Sequence, residues 1–286
     1  MTAPDRAAAP SPSIVRAALA LACRAPSVRN TQPWHWVFDG STLLLYRDTE
    51  RQLPAIDPQH RQATIGCGAA LDHARQAFVS MDWFAHITRI PRPGFPELLA
   101  AVEFRLWCGP LNRTAARVRA ITRRHSDRLP MLPPEDWPDV LATARELARP
   151  HQVSVTEITD DTRPRVADAI YTTRKAALED RSRLLVLGTA GDSRGQWLHT
   201  GEALSNILLE CTARGLATCE LTQVTEPAST RSLLTERLPL PGVAQVVVRV
   251  GTAVEDTAIT MSPRRPLSEV LEFQDAASNV SSTSDI

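Results

Sequence analysis

Lysine is almost absent from this sequence: Lys175 is the only one, and arginine supplies nearly all the positive charge. A pair of arginines is therefore common by chance here and identifies no site by itself. The 32 basic residues are balanced by 32 acidic ones, so the formal net charge is +0. This balance argues against an extended surface for nucleic acid or for an anionic membrane. We expect neither as a partner.

Paired cysteines and closely spaced histidines are also missing. The five cysteines are scattered, odd in number and without a C-x-x-C pair. This usage is typical of reduced, mostly buried side chains in a cytosolic protein. The seven histidines show none of the short spacings that zinc sites use. We expect reduced thiols and no metal.

No apolar run approaches the ~20 residues that a membrane-spanning helix needs. The N-terminus lacks the basic segment followed by an apolar stretch that marks a signal peptide. We therefore expect a cytoplasmic protein that does not enter a membrane. The length of 286 residues allows one large domain or two modest ones. Residues 1–12 and 275–286 are predicted to be mobile tails.

Between these tails the residue pattern predicts alternating helices and strands. In the front part, Ser13 is predicted to cap a helix that runs through Cys23. Asp39-Gly40 is a strong hairpin signal between two strands. Asp57 followed by a proline predicts the start of a long helix to about Met81. The predicted strands are Trp34–Phe38, Thr42–Tyr46, 83–90 and 101–107.

The rear part repeats this plan. A strand is predicted within 151–161, followed by a helix to about Leu178. Asp192 or Ser193 is predicted to cap a second long helix, which Gly215 terminates. The other predicted elements are a buried strand "RLLVLGT" at 183–189, strands near 217–222 and 243–250, and a helix that begins at Pro227.

The two parts also resemble each other in sequence. "GCGAALDHARQAF" and "HTGEALSNILLEC" both place Gly-x-Ala-Leu early in a long helix, and "AVEFRLWCG" and "QVVVRVGTA" are both apolar strands with one arginine. We interpret "GCGAAL" as close helix packing and not as a phosphate-binding loop, because it lies within a predicted helix. The matching order favours an internal duplication with halves at 13–110 and 111–262 and a C-terminal arm at 263–274. A single chain would then form the interface that a homodimer forms between subunits.

One segment, "APSVRNTQPWHW" at 25–36, combines features that rarely occur together. Uncharged polar side chains at Ser27, Asn30 and Gln32 stand next to Trp34 and Trp36. A surface loop needs only the polar residues and a core strand only the tryptophans, whereas a site for a flat, partly polar ring needs both. The tryptophans alternate along a predicted strand, so both core packing and a place beside a ring remain open for them.

This segment resembles the APS-x-x-N-x-QPW loop of the flavin-dependent nitroreductase superfamily. The segments "ITRRHSDRLP", "GEALSNILLECTARGLATCELTQVTE" and "PRRPLSEVL" match further, and together they span residues 14–273. The chain as a whole is similar to the Acg branch of NAD(P)H nitroreductases. The resemblance implies an α+β, nitroreductase-like fold, with two nitroreductase-like halves in one chain that mimic a homodimer. In that superfamily two subunits clasp an FMN in each of two clefts at their interface.

The resemblance also implies which residues bind FMN. The "TRRHSDR" and "PRRPL" segments correspond to the family's phosphate contacts, and the "CELTQV" segment corresponds to its flavin-ring contacts. The segment at 25–36, called the opening loop below, corresponds to the lining of the ring and the ribityl chain. The implied cofactor-binding residues are Ser27, Asn30, Gln32, Pro33, Trp34, Arg123, Arg124, Ser126, Leu221, Thr222, Gln223, Arg264 and Arg265.

These residue types suit an FMN nucleotide. Guanidinium groups bind a phosphate through paired, charge-assisted hydrogen bonds, and neutral polar side chains suit ribityl hydroxyls and ring edges. Because the hydride chemistry belongs to the flavin, no catalytic side chain is expected. Only the rear half has the arginine-serine segment and the arm, and only the front half has the opening loop. We therefore predict one FMN per chain, bound between the halves, and a degenerate second cleft.

The expected function is that of an oxidoreductase with ping-pong hydride transfer. NAD(P)H would reduce FMN, which would then reduce a small nitro or quinone-like acceptor. Two alternatives stay open: a non-catalytic protein that binds or sequesters flavin, and a degenerate scaffold without flavin. A monomer would suffice for each of them, since the pseudo-dimer lies within one chain.

One departure from the Acg branch bears on this function. Members of the branch usually carry a long insert, a lid over the flavin, between a helix and a buried strand. Here the helix around Ile170–Tyr171 and the strand at Leu184–Leu187 are joined almost directly. We expect a more open cleft, because lids exclude water from the sites that they cover.

Overall fold

The framework of the protein consists of two five-stranded sheets with helices packed on them. The structure, a computed structural model, describes residues 9–109, 112–166, 180–254 and 262–274. The predicted α+β class is confirmed. Among the described helices, none combines the length and apolar character that a bilayer crossing requires.

The front half contains two helices and four strands. These four strands and one strand from the C-terminal arm form one five-stranded sheet. In chain order the elements are α1 (Pro12–Ala22), β1 (Trp34–Phe38), β2 (Thr42–Arg47), α2 (Arg61–Val79), β3 (Trp83–Arg89) and β4 (Leu98–Leu106), with short 3₁₀ turns at Val28–Asn30 and Thr49–Arg51.

The rear half is longer and carries additional short elements. Its sheet runs β5-β9-β7-β6, and β8 pairs with β9. The elements are α3 (Asn112–Arg123), β5 (Met131–Leu132), α4 (Trp137–Ala148), a 3₁₀ turn (Arg149–His151), β6 (Ser154–Ile158), β7 (Arg183–Thr189), α5 (Arg194–Ala213), β8 (Ala217–Glu220), α6 (Thr222–Thr225), α7 (Ala228–Arg237) and β9 (Val243–Ala253). The arm adds α8 (Leu267–Val270) and β10 (Leu271–Phe273).

The two sheets share one strand order. In the front half β1, β2, β4 and β3 are neighbours in that order, and all three pairings are antiparallel. In the rear half β6, β7, β9 and β8 follow the same order, again with three antiparallel pairings. The long helix lies between the second and third strand of the chain order in both halves, as α2 and as α5. The halves therefore repeat a topology, as an internal duplication would produce.

The C-terminal arm crosses from the rear half to the front half. Its strand β10 pairs in parallel with β1, so that Trp36 lies opposite Leu271. Trp34 and Trp36 are fully buried in the core of the front half. Because residues two apart on a strand share one face, both tryptophans pack into this core.

Several local signals correctly predicted element boundaries. The strand "RLLVLGT" spans Arg183–Thr189 as predicted. Ser193 caps α5 in a capping box with Gln196, and Gly215 follows the end of that helix with φ +78°. Asp39-Gly40 forms the predicted hairpin turn, with Gly40 at φ +91°.

Two predicted helix starts were wrong by a few residues. α1 begins at Pro12, and its N-cap is Ser11 instead of Ser13, because the Ser11 Oγ accepts a hydrogen bond from the Ile14 amide at 3.4 Å. α2 begins at Arg61 and not after Asp57. The Asp57 carboxylate still accepts from the amides of residues 62 and 63, at 3.0 and 2.9 Å, so it caps the helix from a preceding turn.

Four of the described helices were not predicted: α3, α4 and the single turns α6 and α8. The turn α6 replaces the predicted end of the strand at 217–222. The helix predicted to about Leu178 lies outside the described residues beyond position 166, as do the two tails apart from residues 9–12 and most of the segment expected to lack a lid.

The long helices α2 and α5 cross where two glycines meet. A Cβ on Gly68 would lie 3.0 Å from the Cα of Gly201 and would collide with the carbonyl oxygen of Leu198. A Cβ on Gly201 would lie 2.8 Å from the Cα of Gly68 and would collide with the carbonyl oxygen of Ile65. Each glycine thus faces the residue three positions before the other. This confirms that "GCGAAL" serves close helix packing.

We expect Gly201→Ala to lower the free energy of unfolding by about 2 kcal/mol. Alanine favours a helix over glycine by roughly 1 kcal/mol, but overpacking costs about 1–3 kcal/mol or more. The colliding atoms belong to the backbone of α2, so rotation of a side chain cannot relieve the collision and overpacking outweighs propensity. Urea unfolding measures the difference. Gly94→Ala is the control, since its Cβ would meet nothing within 4 Å; equal effects would contradict the crossing geometry.

Candidate functional site

A cavity of about 600 Å³ lies between the two halves, within the range of roughly 300–1,000 Å³ that is usual for cofactor sites. Both halves and the start of the arm contribute to its walls. Residues 26–30, Gln62, Ile65 and Gly66 line it from the front half, and 124–126, Arg128, Leu204, 219–220, Thr222 and Val246 line it from the rear half. Arg264 lines it from the arm, and Ser262 from the position just before the arm.

The opening loop is held in a tight, irregular conformation. Arg29, Asn30 and Gln32 have φ values of +47°, +57° and +51°, a region that residues other than glycine adopt infrequently. The Ser27 Oγ accepts a hydrogen bond from the Gln32 amide at 3.0 Å and closes the loop. The uncharged polar residues of the motif therefore fix the backbone that faces the cavity.

Asn30 connects this loop to the C-terminal arm. Its Nδ2 donates to the Pro263 carbonyl at 2.9 Å, and its Oδ1 accepts from Arg264 Nη1 at 3.0 Å. Arg264 Nη2 donates to the Arg24 carbonyl at 3.2 Å. The predicted proximity of the front loop and the arginine arm is thus present in the fold, and Asn30 and Arg264 both line the cavity.

Gln32 and Arg265 lie behind the cavity lining. The Gln32 Oε1 accepts from the Arg265 amide at 2.8 Å, and Arg265 forms an ion pair with Asp48 at 2.9 Å. Both residues fasten the arm to the front sheet. A direct phosphate contact was expected for Arg265, but its guanidinium points to Asp48 and to Glu269, 3.3 Å away.

Pro33 and Trp34 also lie outside the cavity lining. The Pro33 carbonyl accepts from Cys67 Sγ at 3.1 Å and from the Asp48 amide at 2.9 Å. Trp34 is buried in the front core. The sequence left open whether Trp34 and Trp36 pack in the core or lie beside a ring. The structure shows that both pack in the core.

The cavity has a cationic end formed by Arg124 and Arg264. Burial, together with the charges of Arg124 and Arg24, lowers the pKa of Arg264 to about 10, so the guanidinium stays protonated at neutral pH. No carboxylate among the described residues forms an ion pair with Arg264. The Nε atoms of Arg124 and Arg264 are buried, and no residue that the structure describes offers either of them a hydrogen-bond acceptor. Buried, unmatched donors with excess positive charge suit an anion.

In the described part of the chain, Arg124 forms an ion pair with Glu220. Its Nη1 lies 3.2 Å from Glu220 Oε1, and Ser126 Oγ donates to Glu220 Oε2 at 2.5 Å. Arg123, the residue before, instead donates to the Thr212 carbonyl at 3.1 Å on the surface and lies outside the lining. The predicted pair of arginines therefore separates into one that faces the cavity and one that does not.

Another part of the lining is mostly small and apolar. Ile65, Gly66, Leu204 and Val246 form it, and Thr222 supplies a hydroxyl at the start of α6. Of the other ring contacts implied by the resemblance, Leu221 is buried and its amide donates to the Val247 carbonyl at 2.8 Å, and Gln223 does not line the cavity.

Sequence reasoning missed several lining residues. Leu204 was assigned to a buried helix and Gly66 to helix packing, and neither pattern distinguishes a core face from a cavity wall. Glu220 belongs to the "CELTQV" segment, but the resemblance implied only Leu221, Thr222 and Gln223 of that segment as flavin contacts.

A second polar cluster lies away from this cavity. Glu202 is fully buried, and Arg89 binds both of its oxygens at 2.7 Å. The Nδ1 atoms of His151 and His199 lie 3.8 and 3.9 Å from Glu202 Oε2, and burial lowers the pKa of both histidines. The ligand atoms of the three residues lie within 4.8 Å of one another, but Arg89 already engages the carboxylate, so we assign no metal here.

Fold and cavity together define a class: an α+β protein with a cofactor-sized cleft, cationic at one end, between two halves of like topology. Comparison with known proteins identifies the family within this class. The sequence profile of the "Nitroreductase family" matches residues 121–252. The protein "Putative NAD(P)H nitroreductase acg" of Mycobacterium tuberculosis H37Rv is 33% identical, with 91% of this chain and 96% of that protein covered. The chain belongs to the nitroreductase family, in its Acg-type branch.

Two further comparisons concern overall length and fold. "Uncharacterized protein Rv3127" of Mycobacterium tuberculosis is 33% identical over 336 aligned positions that cover 95% of this chain and 96% of that protein. The alignment is longer than this chain of 286 residues, so that relative carries segments that are absent here. A crystal structure described as a "putative nitroreductase" from Anabaena variabilis has a TM-score of 0.61 at 8% identity over 86% of this chain and 90% of that one, which shows a shared fold.

Proposed function

We propose that the cavity between the halves binds one FMN and that the protein is an NAD(P)H-dependent nitroreductase. The proposed reaction is ping-pong hydride transfer from NAD(P)H to a nitro or quinone-like acceptor, for which the bound FMN would supply the hydride chemistry. The observation that carries this proposal is the joint lining of one cavity by Asn30 from the front, Arg124 and Thr222 from the rear, and Arg264 from the arm.

The residues at the cationic end fit a phosphate. Arg264 has no carboxylate partner among the described residues, and its Nε atom, like that of Arg124, is buried without an acceptor. A phosphate dianion would supply acceptors for both guanidinium groups. Ser126 adds a hydroxyl donor at the same end. We assign Arg124, Ser126 and Arg264 to the phosphate.

The remainder of the cavity fits a ring and a polyol chain. Asn30 and Ser27 present neutral polar groups on the front wall and Thr222 presents one on the rear wall, while Leu204 and Val246 exclude water from the space between them. When bound, the flavin would supply the hydride chemistry. The chain's own residues bind the cofactor, orient it and keep its surroundings partly dry, and none is assigned as an acid or a base.

An internal duplication explains why one chain suffices. Gly68 and Gly201 meet at the helix crossing, and the next turn brings Ser205 to Asp72, with a 2.6 Å hydrogen bond between residues that are again 133 positions apart. Contacts between equivalent residues are what a two-fold axis between identical units produces. This pattern and the shared strand order support two nitroreductase-like halves, with the arm completing the site from outside the duplicated part.

The same separation between equivalent residues identifies the position in the other half that corresponds to the cavity, where a second cleft would lie. With the same separation of 133 positions, the counterpart of Gly66 in the cavity wall is His199 of the rear half, and the counterpart of Thr222 is Arg89 of the front half. These two side chains belong to the cluster around the buried Glu202. We infer that this cluster fills the degenerate cleft, so that a single FMN binds per chain.

The test is a titration followed by reduction. Apoprotein titrated with FMN should quench flavin fluorescence with a stoichiometry of one per chain; a clean value of two would contradict the filled second cleft, and no binding would overturn the proposal. Under anaerobic conditions, NADH or NADPH should then bleach the flavin absorbance, and a nitroaromatic should restore it. A bound flavin that neither nucleotide bleaches would favour the alternative, a protein that sequesters flavin without turnover.

A further inference from the structure

The cationic end of the cavity already holds one negative charge. Glu220 is the one carboxylate among the described lining residues, which include four arginines. Its side chain is only 7% exposed. Both of its oxygens are engaged, one by Arg124 at 3.2 Å and the other by Ser126 at 2.5 Å. These are two of the three residues that we assign to the phosphate.

A carboxylate and a phosphate compete for the same donors. Both are anions that accept charge-assisted hydrogen bonds from a guanidinium and a hydroxyl. A group tethered to the protein competes at a high effective concentration, which is millimolar or above for short tethers. If Glu220 kept its position, its charge would repel an incoming dianion at the same end of the cavity.

We propose that Glu220 acts as a built-in competitor for the phosphate subsite, which lowers the affinity for FMN selectively through its phosphate. This inference rests on the proposed function of the cavity. Binding of FMN would require the Glu220 side chain to leave Arg124 and Ser126. Its backbone, paired with Val248 at the end of β8, would stay in place, because rotation about the side-chain bonds suffices.

The proposal differs in its consequences from a merely structural ion pair. If Glu220 only positioned Arg124 for the ligand, removal of its charge would weaken the binding of FMN. If Glu220 competes, removal of its charge frees both donors and strengthens binding. Riboflavin, which has the same ring and ribityl chain but no phosphate, separates an effect at this subsite from an effect on the whole cavity.

The experiment compares wild type, Glu220→Gln, Glu220→Ala and the control Glu236→Gln, an exposed glutamate on α7. Each apoprotein is checked for cooperative thermal unfolding and titrated with FMN and with riboflavin by fluorescence quenching. Since the donors that Glu220 releases can form charge-assisted hydrogen bonds with the phosphate, we expect Glu220→Gln to bind FMN at least about tenfold more tightly. Its affinity for riboflavin and both affinities of Glu236→Gln should equal those of wild type.

Three outcomes would overturn the inference while leaving the proposed function intact: an unchanged FMN affinity in both Glu220 variants, a weaker one, or an equal gain for riboflavin. If only the variants bind FMN, the inference is supported. If no form binds either flavin, the proposed function fails, and inorganic phosphate then decides the inference by thermal shift. A larger phosphate-induced stabilisation of Glu220→Gln than of wild type would support competition at this subsite, and equal shifts would contradict it.

Discussion

Replacement of Arg264 by alanine should weaken FMN binding about 30- to 100-fold. The guanidinium lines the cavity and has no carboxylate partner among the described residues, so a phosphate would be its first anionic acceptor. Hydrogen bonds to charged groups contribute about 1.5–3 kcal/mol, and 1.4 kcal/mol corresponds to a factor of ten in affinity. The substitution also removes the hydrogen bond from Arg264 to Asn30, which helps to hold the opening loop against the arm.

Titration of the apoprotein with FMN and with riboflavin measures this effect. The loss should be much larger for FMN, because riboflavin has no phosphate for Arg264 to bind. Arg105→Ala, at an exposed position of β4, removes the same charge elsewhere and should leave both affinities unchanged. If Arg264→Ala binds FMN as tightly as Arg105→Ala does, Arg264 does not bind the phosphate.

Arg265 offers an informative contrast with its neighbour. The sequence predicted a phosphate contact for both arginines, but Arg265 pairs with Asp48 and with Glu269. We therefore expect Arg265→Ala to act through the seating of the arm, with a smaller loss that affects FMN and riboflavin alike.

Glu202→Ala should lower the free energy of unfolding by about 3 kcal/mol. Glu202 is fully buried and Arg89, 27% exposed, binds both of its oxygens. Removal of one partner of a buried ion pair costs about 3–5 kcal/mol, because the other charge is left uncompensated. The partial exposure of Arg89 places the expected value at the lower end. The two neighbouring histidines, whose pKa values are lowered by burial, are neutral near pH 7 and supply no replacement charge.

Urea unfolding monitored by circular dichroism checks this value. Asp139→Ala is the matched control, since Asp139 is 69% exposed in its ion pair with Arg214, and exposed pairs contribute at most about 1 kcal/mol. If Glu202→Ala destabilises the protein no more than the control does, the cluster does not fill a space between the halves in the way that we infer.

Short-range signals accounted for much of the fold. The capping box at Ser193, the glycine at 215 and the hairpin at Asp39-Gly40 depend on residues within one turn of each other, and each was found where expected. α3 was not predicted because, apart from alanines, its apolar residues are only Val118 and Ile121, too few to show a helical period. It packs on α5 through long-range contacts such as Arg117 with Glu210, which no local pattern reveals.

The site was predictable to the level of segments but not of side chains. Neighbouring residues of an extended segment point in different directions, so "RR" in the arm does not tell whether Arg264 or Arg265 faces the cavity. The same ambiguity applied to Arg123 and Arg124. For Trp34, alternation along the strand gave the face shared with Trp36 but not whether that face meets the core or a ligand.

Asn30 and its acceptor Pro263 are separated by 233 positions, and this spacing has a consequence for biosynthesis. At elongation rates of about 5–20 residues per second, the front loop emerges from the ribosome roughly 10 to 50 s before the segment that anchors it. Contacts between such distant positions form late in folding, because a large loop must close first. A nascent chain that has not reached Pro263 therefore lacks the acceptor that anchors the front loop, and the cavity that we propose as the FMN site is completed only after the arm has been synthesised.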